Sequence, residues 1–384
     1  MNITKDIRYI GVNDNEIDLF EGQYRVPHGI SYNSYVIIDE RVCVFDTVDR
    51  RFGGEWLSSL EAELSGRAPD YLVVTHMEPD HSANIAVFLE KYPEATVVAT
   101  AKAFKMMGAF FGEEYADRRI VVSDGTTLSL GSHELTFVTA PMVHWPEVAV
   151  CYDKTDRVLF SADAFGKFGA IGTEDNWVDE ARRYYIGIVG KYGAQVLSLL
   201  KKAAALDVAR ICPLHGPVLS GDLSLYLNLY TKWASYTPEE DGVTIAYTSI
   251  YGNTAAAAKL LLDELGARGV KAELFDLARC DKAEAIASAF KYSKLVLASS
   301  TYNAGVFPPM REFIAGLVER NFSSRTVGFI ENGSWAPTAA KVMRASLEMA
   351  KSIKFIDKTV TVNSALNASS EAGIRALAAE LKEV

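Results

Sequence analysis

Thr75-His76-Met77-Glu78-Pro79-Asp80-His81 packs four side chains able to bind a metal into six residues, 76–81. The stretch follows Tyr71-Leu72-Val73-Val74, a short apolar run that reads as a strand. Pro79 stiffens the turn that carries the four groups. Side chains projecting from a loop at one strand end can converge on a point, and more donors occupy equivalent places. His144 follows the run ending near Thr139, Asp163 the run ending at Ser161, and His215 the run ending at Cys212. A lone histidine after a strand is usually a satisfied surface or core residue. HxExDH followed by a later His, Asp and His, all past strand ends, is a joint signal for a metal centre on one edge of a sheet structure. Of the six histidines, two are left over. His133, in Gly131-Ser132-His133-Glu134, reads as a hairpin tip. His28, in Pro27-His28-Gly29, reads as a turn or as a group standing behind the ligands.

The region around this motif is strand-rich. Tyr35-Val36-Ile37-Ile38 and Val42-Cys43-Val44-Phe45, separated by a polar turn, predict a hairpin. Further strands are expected over 135–139, 148–152, 158–161 and 208–212. Helices are expected over 82–91, with Ser82 as N-cap, and over 201–207. Strands that first meander and later alternate with helices predict two sheets with helices outside, an αββα sandwich.

Ser235-Tyr236-Thr237-Pro238-Glu239-Glu240-Asp241-Gly242 reads as an interdomain linker. It divides the chain into expected domains 1–236 and 242–384. The second region alternates cleanly: strands at 244–247, 272–275, 295–298, 326–330 and 359–362, with helices to 265, over 282–290, 310–320 and 337–352, and from 371. Five β–α units predict a doubly wound parallel sheet, whose ligands sit beyond the carboxyl ends of the strands. Thr248-Ser249-Ile250-Tyr251-Gly252-Asn253-Thr254 follows the first of these strands and leads into an Ala-rich helix. Hydroxyls and backbone N–H groups at such a helix start can hold a phosphate monoester. There is no GK[ST] and no GxGxxG, which weighs against nucleoside triphosphates and dinucleotides. Ser299-Ser300-Thr301-Tyr302-Asn303-Ala304-Gly305 and Glu331-Asn332-Gly333-Ser334-Trp335-Ala336 follow two more strands. They offer small residues for close approach, and Tyr302 and Trp335 could cover the face of a flat ring.

The composition sets limits on partners. Of 384 residues, 49% are apolar and 23% charged, as in ordinary globular proteins, and the net charge is −10. Such a chain is a poor general binder of nucleic acid or anionic membrane. No apolar run approaches the ~20 residues of a spanning helix, and the first residues do not read as a secretory signal. Cys43, Cys151, Cys212 and Cys280 are scattered with no CxxC pair, which predicts a reduced, cytoplasmic setting without disulfides.

The metal residues resemble the metallo-β-lactamase superfamily, whose signature is HxHxDH with the same later ligands. Here the second histidine is Glu78. A zinc hydrolase site is nitrogen-rich, and exchanging imidazole for carboxylate hardens it toward iron or manganese. Glu78, Asp80 and Asp163 bring three negative charges; two ferrous ions and one bridging hydroxide then give a neutral centre. The three loops of the second region resemble flavodoxin, with strand order 2-1-3-4-5 and FMN at the switch point. Together the halves resemble the flavodiiron proteins over nearly the whole chain. Asp163-Ala164-Phe165-Gly166, His215-Gly216-Pro217 and Tyr32-Asn33-Ser34-Tyr35 also match that family. The chain ends soon after the last flavodoxin helix, as in the two-domain members.

The resemblance implies two irons per subunit. His76, Glu78 and His144 would bind one, Asp80 and His215 the other, and Asp163 would bridge them. His81 matches a position that is a ligand in some members and displaced by water in others. FMN would lie on 248–254, with Ser300, Thr301, Tyr302, Asn303, Ala304 and Gly305 and then Asn332, Gly333, Ser334 and Trp335 around the ring. The implied activity is reduction of O2 to water, of NO to N2O, or both. The implied donor is a protein such as rubredoxin or a reduced deazaflavin, and the implied assembly is a head-to-tail homodimer or a dimer of dimers. Two departures stand out: Glu147 in His144-Trp145-Pro146-Glu147, where relatives often have Asp, and the 331–335 loop. A zinc hydrolase carrying a flavodoxin domain, or a plain electron carrier, are the alternative readings.

Overall fold

The computed structural model describes residues 1–384. They fall into two compact units, Met1–Thr231 and Lys232–Val384. Glu240 and Asp241, expected in a linker, already belong to the strand Glu240–Tyr247.

The first unit contains two six-stranded sheets. One runs in the order Ile7–Tyr9, Tyr35–Ile38, Val42–Phe45, Tyr71–Val73, Thr96–Thr100, Arg119–Val122. The other runs Thr127–Ser129, Glu134–Thr139, Ala149–Asp153, Val158–Phe160, Arg210–Cys212, Leu219–Ser220. Alternation along the strands decides what each face meets. Tyr35, Ile37, Cys43, Phe45, Val73 and Val98 of the first sheet share one core cluster with Leu135, Phe137, Cys151, Val158, Phe160 and Cys212 of the second. Phe45 and Phe160 stack across it with ring centres 3.8 Å apart. The residues of opposite parity, Val36, Val44, Leu72 and Val97, are also fully buried. They need a covering layer, which helices such as Gly53–Leu64 and Ile85–Lys91 supply through Trp56, Leu60 and Phe88. This is the αββα sandwich expected from the sequence, and its cysteines are buried small hydrophobes.

Two local expectations are corrected. Ser82 is not an N-cap: a short helix starts at Pro79, Glu78 before it is extended, and Ser82 Oγ donates to Met77 O at 2.8 Å. Proline at the first helical position and an extended residue before it are mutually consistent, so the ligand loop itself turns into helix. The helix expected at 201–207 is Gly193–Ala203; residues 204–207 are its turning exit.

The second unit is a parallel sheet in the order Ala272–Asp276, Glu240–Tyr247, Tyr292–Tyr302, Thr326–Asn332, flanked on the last strand by Lys354–Phe355 and Val360–Val362. This is the 2-1-3-4-5 order. Its strands are buried on both faces, Val243, Ile245, Val296, Ala298 and Ile330 packing on Ala257, Leu261, Ile374 and Leu377 of two helices. The middle strand is longer than expected. It stays paired to Thr326–Asn332 through Ser300, so Ser299 to Tyr302 are strand, not loop. The helix expected over 337–352 is confined to Ala339–Leu347.

Candidate metal centre and cofactor cleft

The strand ends bring seven side chains of the first unit into two adjoining clusters that share Asp163. His76, Glu78, His144 and Asp163 form one, and Asp80, His81 and His215 the other. In the first, Glu78 Oε2 lies 3.2 Å from His76 Nε2 and 3.0 Å from His144 Nε2, and Asp163 Oδ2 lies 3.0 Å from His144 Nε2. In the second, His81 Nε2 and His215 Nε2 are 3.0 Å apart, and each is 3.4 Å from Asp80 Oδ2. Asp163 turns its other oxygen, Oδ1, to this side, 3.4 Å from His81 Nε2. Donors about 2.0–2.2 Å from a tetrahedral metal are about 3.3 Å from one another, so both clusters have ligand-edge spacing.

The donors also need a cation on electrostatic grounds. Both carboxylate oxygens of Asp80, and Oδ1 of Asp163, are buried without a hydrogen-bond partner. Burial and the neighbouring Glu78 and Asp163 carboxylates push Asp80 well above the usual carboxylate range. Two buried imidazole nitrogens 3.0 Å apart repel unless a proton or a metal lies between them. Burial and His215 hold His81 well below its ordinary pKa, so its nitrogen presents a lone pair. The residues present therefore fit a dinuclear metal, and Asp163, with one oxygen turned to each cluster, would help hold both ions. His81 lies with Asp80 and His215 in the second cluster.

Behind the donors stands a layer that aims them. His76 Nδ1 lies 2.9 Å from Glu147 Oε1, and His215 Nδ1 donates to Ser31 O at 2.7 Å, so both histidines present Nε2 inward. Asp46, the residue after Val42–Phe45, accepts from Thr75 N at 2.8 Å and from Thr75 Oγ1 at 2.6 Å. Burial pushes Asp46 up to about 7 despite these bonds. Asn33 Nδ2 donates to Pro213 O at 2.7 Å and Gly216 O at 2.8 Å, and Tyr35 Oη to Pro213 O at 2.6 Å. That is what Tyr32-Asn33-Ser34-Tyr35 does: it buckles the loop carrying His215. Around Asp163, Ala162 and Phe165 adopt positive φ of 49° and 68°, a costly backbone held by the surrounding bonds. Tyr184 has a fully buried hydroxyl without a partner, and its ring centre is 5.5 Å from that of His215. Sequence reading missed Asp46 and Tyr184. Asp46 had a signal, since it follows a strand end as the ligands do; Tyr184, inside a helix, had none. His28 is exposed and its ring joins neither cluster; only its main-chain carbonyl is engaged, by Ala170 N.

In the second unit a cleft of about 600 Å³ opens beyond the carboxyl ends of the strands. Of the expected residues, Ser249, Ile250, Tyr251, Asn253, Thr254, Ser300, Thr301, Tyr302, Asn303, Ala304, Asn332, Gly333, Ser334 and Trp335 line it. Thr248, Gly252 and Gly305 do not. Thr248 is buried, its hydroxyl 2.9 Å from Ser299 Oγ, and Gly252, at φ 90°, caps the helix Asn253–Ala267. Thr338 and Ser364 are further lining residues the sequence reading did not include. Ser364, from the loop after the fifth strand, donates to Ser334 Oγ at 2.8 Å. The lining holds no charged side chain. An anion there would rest on hydroxyls, backbone N–H groups and the start of a 15-residue helix. Trp335 and Tyr251 are each 91% exposed at the rim, large apolar faces with no protein covering them. The cleft fits a phosphorylated compound with a planar ring.

Residues 30–216 match the family described as ODP family beta lactamase, and residues 245–361 match Flavodoxin. An anaerobic nitric oxide reductase flavorubredoxin of Aliivibrio fischeri is 31% identical over 351 residues, 87% of this chain and 70% of that protein. A rubredoxin oxygen:oxidoreductase from Desulfovibrio gigas superposes with a TM-score of 0.91 at 25% identity, covering 100% of this chain and 98% of that one. The fold is also that of a flavodiiron protein from Giardia intestinalis, with a TM-score of 0.89 at 24% identity over 99% of this chain and 95% of that one. No helix is long and apolar enough to cross a membrane.

Proposed function

The chain belongs to the flavodiiron protein family, and from that premise and the donor geometry we propose that it reduces O2 to water, NO to N2O, or both, at a non-haem di-iron centre supplied with electrons through FMN. The observation that carries this reading is Glu78, whose Oε2 stands at ligand-edge distance from both His76 and His144. A carboxylate in that place favours a redox metal over hydrolytic zinc.

When bound, the flavin and the iron pair supply single-electron transfer, four electrons being needed per O2 and two per pair of NO. The chain's own residues do the rest. Asp163 offers one oxygen to each cluster and so would hold both ions when they are bound. Glu147 and Ser31 O engage Nδ1 of His76 and His215, so that Nε2 is the nitrogen each would offer to a metal. Tyr184, kept protonated by burial and by the Asp163 and Glu78 carboxylates, holds a proton at Oη beside the donors. In the second unit, Ser249, Thr254 and the Asn253–Ala267 helix start would hold the phosphate, and Tyr302 and Trp335 would lie against the ring.

The working assembly in this reading is a head-to-tail homodimer or a dimer of dimers, with each FMN serving another chain's irons. The donor is a carrier such as rubredoxin or a reduced deazaflavin. Four free cysteines support a reduced, cytoplasmic setting. The test is stopped-flow oxidation of the fully reduced protein by O2 and, separately, by NO, with metal analysis of protein purified without oxygen. Two irons per chain and rapid reoxidation by either gas are expected. Zinc in place of iron, with no reoxidation, would refute the reading. A rate with O2 at least about tenfold above that with NO, a difference of about 1.4 kcal/mol in barrier, would retire the NO activity.

A further inference from the structure

A third group of donors lies at the other end of the sandwich. Ala149–Asp153 runs antiparallel between Glu134–Thr139 and Val158–Phe160, with Ala149 opposite Thr139 and Asp153 opposite Leu135 and Val158. His144 and Asp163 therefore mark one end of these strands, and Asp153 the other. There Asp153, the turn residue Asp156 and His133 bring one ligand atom each to within 4.8 Å of one another. We propose that His133, Asp153 and Asp156 form a separate site for one divalent cation, for which Zn²⁺ serves as the probe.

The decisive feature is His133. It is 1% exposed, and neither ring nitrogen has a well-aligned hydrogen bond, although Nδ1 is in ion-pair contact with Asp153. Nδ1 lies 3.1 Å from Asp153 Oδ2 but out of hydrogen-bond alignment, and Nε2 is 3.6 Å from Asp6 Oδ2, too far to bond. A buried imidazole with one nitrogen unbonded and the other in a poorly aligned carboxylate contact is costly as it stands. A contact near 3.1 Å that misses the N–H direction is a poor hydrogen bond. It is close to the separation of about 3.3 Å between two donors on one tetrahedral zinc.

The carboxylates are arranged to match. Asp153 is fully buried, and its Oδ1 and Oδ2 accept from the backbone N–H groups of Thr155 and Asp156, which fixes its direction. Asp156 Oδ2 is buried and unbonded. Asp39 Oδ2 accepts the His133 backbone N–H at 2.7 Å, so it anchors the turn rather than the ring. Two negative charges balance one divalent cation, and one imidazole with two carboxylates accepts zinc as well as harder ions such as manganese. Water would complete the shell. Such a cation would tie the turn before Glu134 to the turn after Asp153, holding three adjacent strands in register. It would take no part in the redox reaction.

The test uses iron- and FMN-loaded protein. It is titrated with Zn²⁺, desalted, and analysed for zinc and iron together with its melting temperature. One zinc per chain is expected beyond the irons, with iron unchanged and the melting temperature raised. His133→Ala and Asp156→Asn should each weaken zinc uptake at least roughly tenfold and abolish the thermal shift. Asp156 is partly exposed in a turn, so its variant should fold and turn over normally. Zinc uptake matched by iron loss, absence of the extra zinc, or uptake by the two variants equal to that of the unaltered protein would overturn the proposal.

Discussion

His76 Nδ1 lies 2.9 Å from Glu147 Oε1, and both side chains are completely buried. The same oxygen accepts the backbone N–H of Met77 at 2.8 Å. One carboxylate thus holds both the ring and the loop of the first ligand. Glu147→Ala should lower iron affinity about 10–100-fold, as loss of such a partner does at other metal sites. Glu147→Gln should lose less, because an amide oxygen can still accept both bonds. Iron retained after dialysis against a chelator measures this; equal retention by the alanine variant would contradict it.

Glu78→His would make the first cluster nitrogen-rich. Iron occupancy should fall and the ratio of zinc to iron should rise when both metals are present during expression. Metal analysis reads the outcome. Unchanged iron content and turnover would refute the argument from ligand hardness.

Metal removal should create a pH dependence that the loaded protein lacks. In the metal-free chain, burial opposes protonation of His144, but hydrogen bonds to Asp163 and Glu78 outweigh it and raise its pKa from 6.5 to about 9. The folded value lies above the unfolded one. Its stabilisation is therefore complete below about pH 6.5 and is lost as pH rises through about 9. The melting temperature of the stripped protein should fall across that window, while the iron-loaded protein, whose nitrogen carries metal instead of a proton, should show no matching fall. Ferrous uptake should tighten over the same range.

Trp335→Ala tests the flavin cleft with little risk to folding, since the side chain is 91% exposed. Ring stacking on an aromatic is worth about 1–3 kcal/mol, so FMN affinity should fall about 5- to 150-fold. Flavin fluorescence on titration of the flavin-free protein reports it. An unchanged dissociation constant would remove Trp335 from the ring site.

Asn33→Ala removes two buried hydrogen bonds to the loop of His215. It should cost about 1–3 kcal/mol, because Gly216 O loses this donor and Pro213 O keeps only Tyr35 Oη. The metal held by Asp80, His81 and His215 should be released before the one held by His76, Glu78 and His144. Equal loss from both positions, followed by metal counting against chelator concentration, would show that Asn33 acts on the whole fold.

Much of the site was readable from the chain because its donors follow strand ends, and strand ends are visible as breaks in apolar runs. His76, Glu78, Asp80, His81, His144, Asp163 and His215 all meet in space as that rule implies. The rule fails for His28, which also lies in a turn but points to solvent. It also undervalued His133: a hairpin tip by sequence, it is a buried ring among carboxylates in the fold.

The chain order of apolar runs, turns and donors was enough to determine two sheets in an αββα sandwich, a doubly wound parallel sheet whose 2-1-3-4-5 order the resemblance to flavodoxin implied, and which residues gather in the donor clusters and the cleft. These follow from local periodicity and from loops that must surface at strand ends. Only the tertiary structure decided that Asp163 divides its two oxygens between clusters, that Glu147 and Ser31 aim the imidazoles, and that Asn33 and Asp46 brace the loops. Those contacts join residues as far as 184 positions apart, as between His215 and Ser31. Their direction depends on how two sheets stack and twist, which no stretch of chain encodes alone.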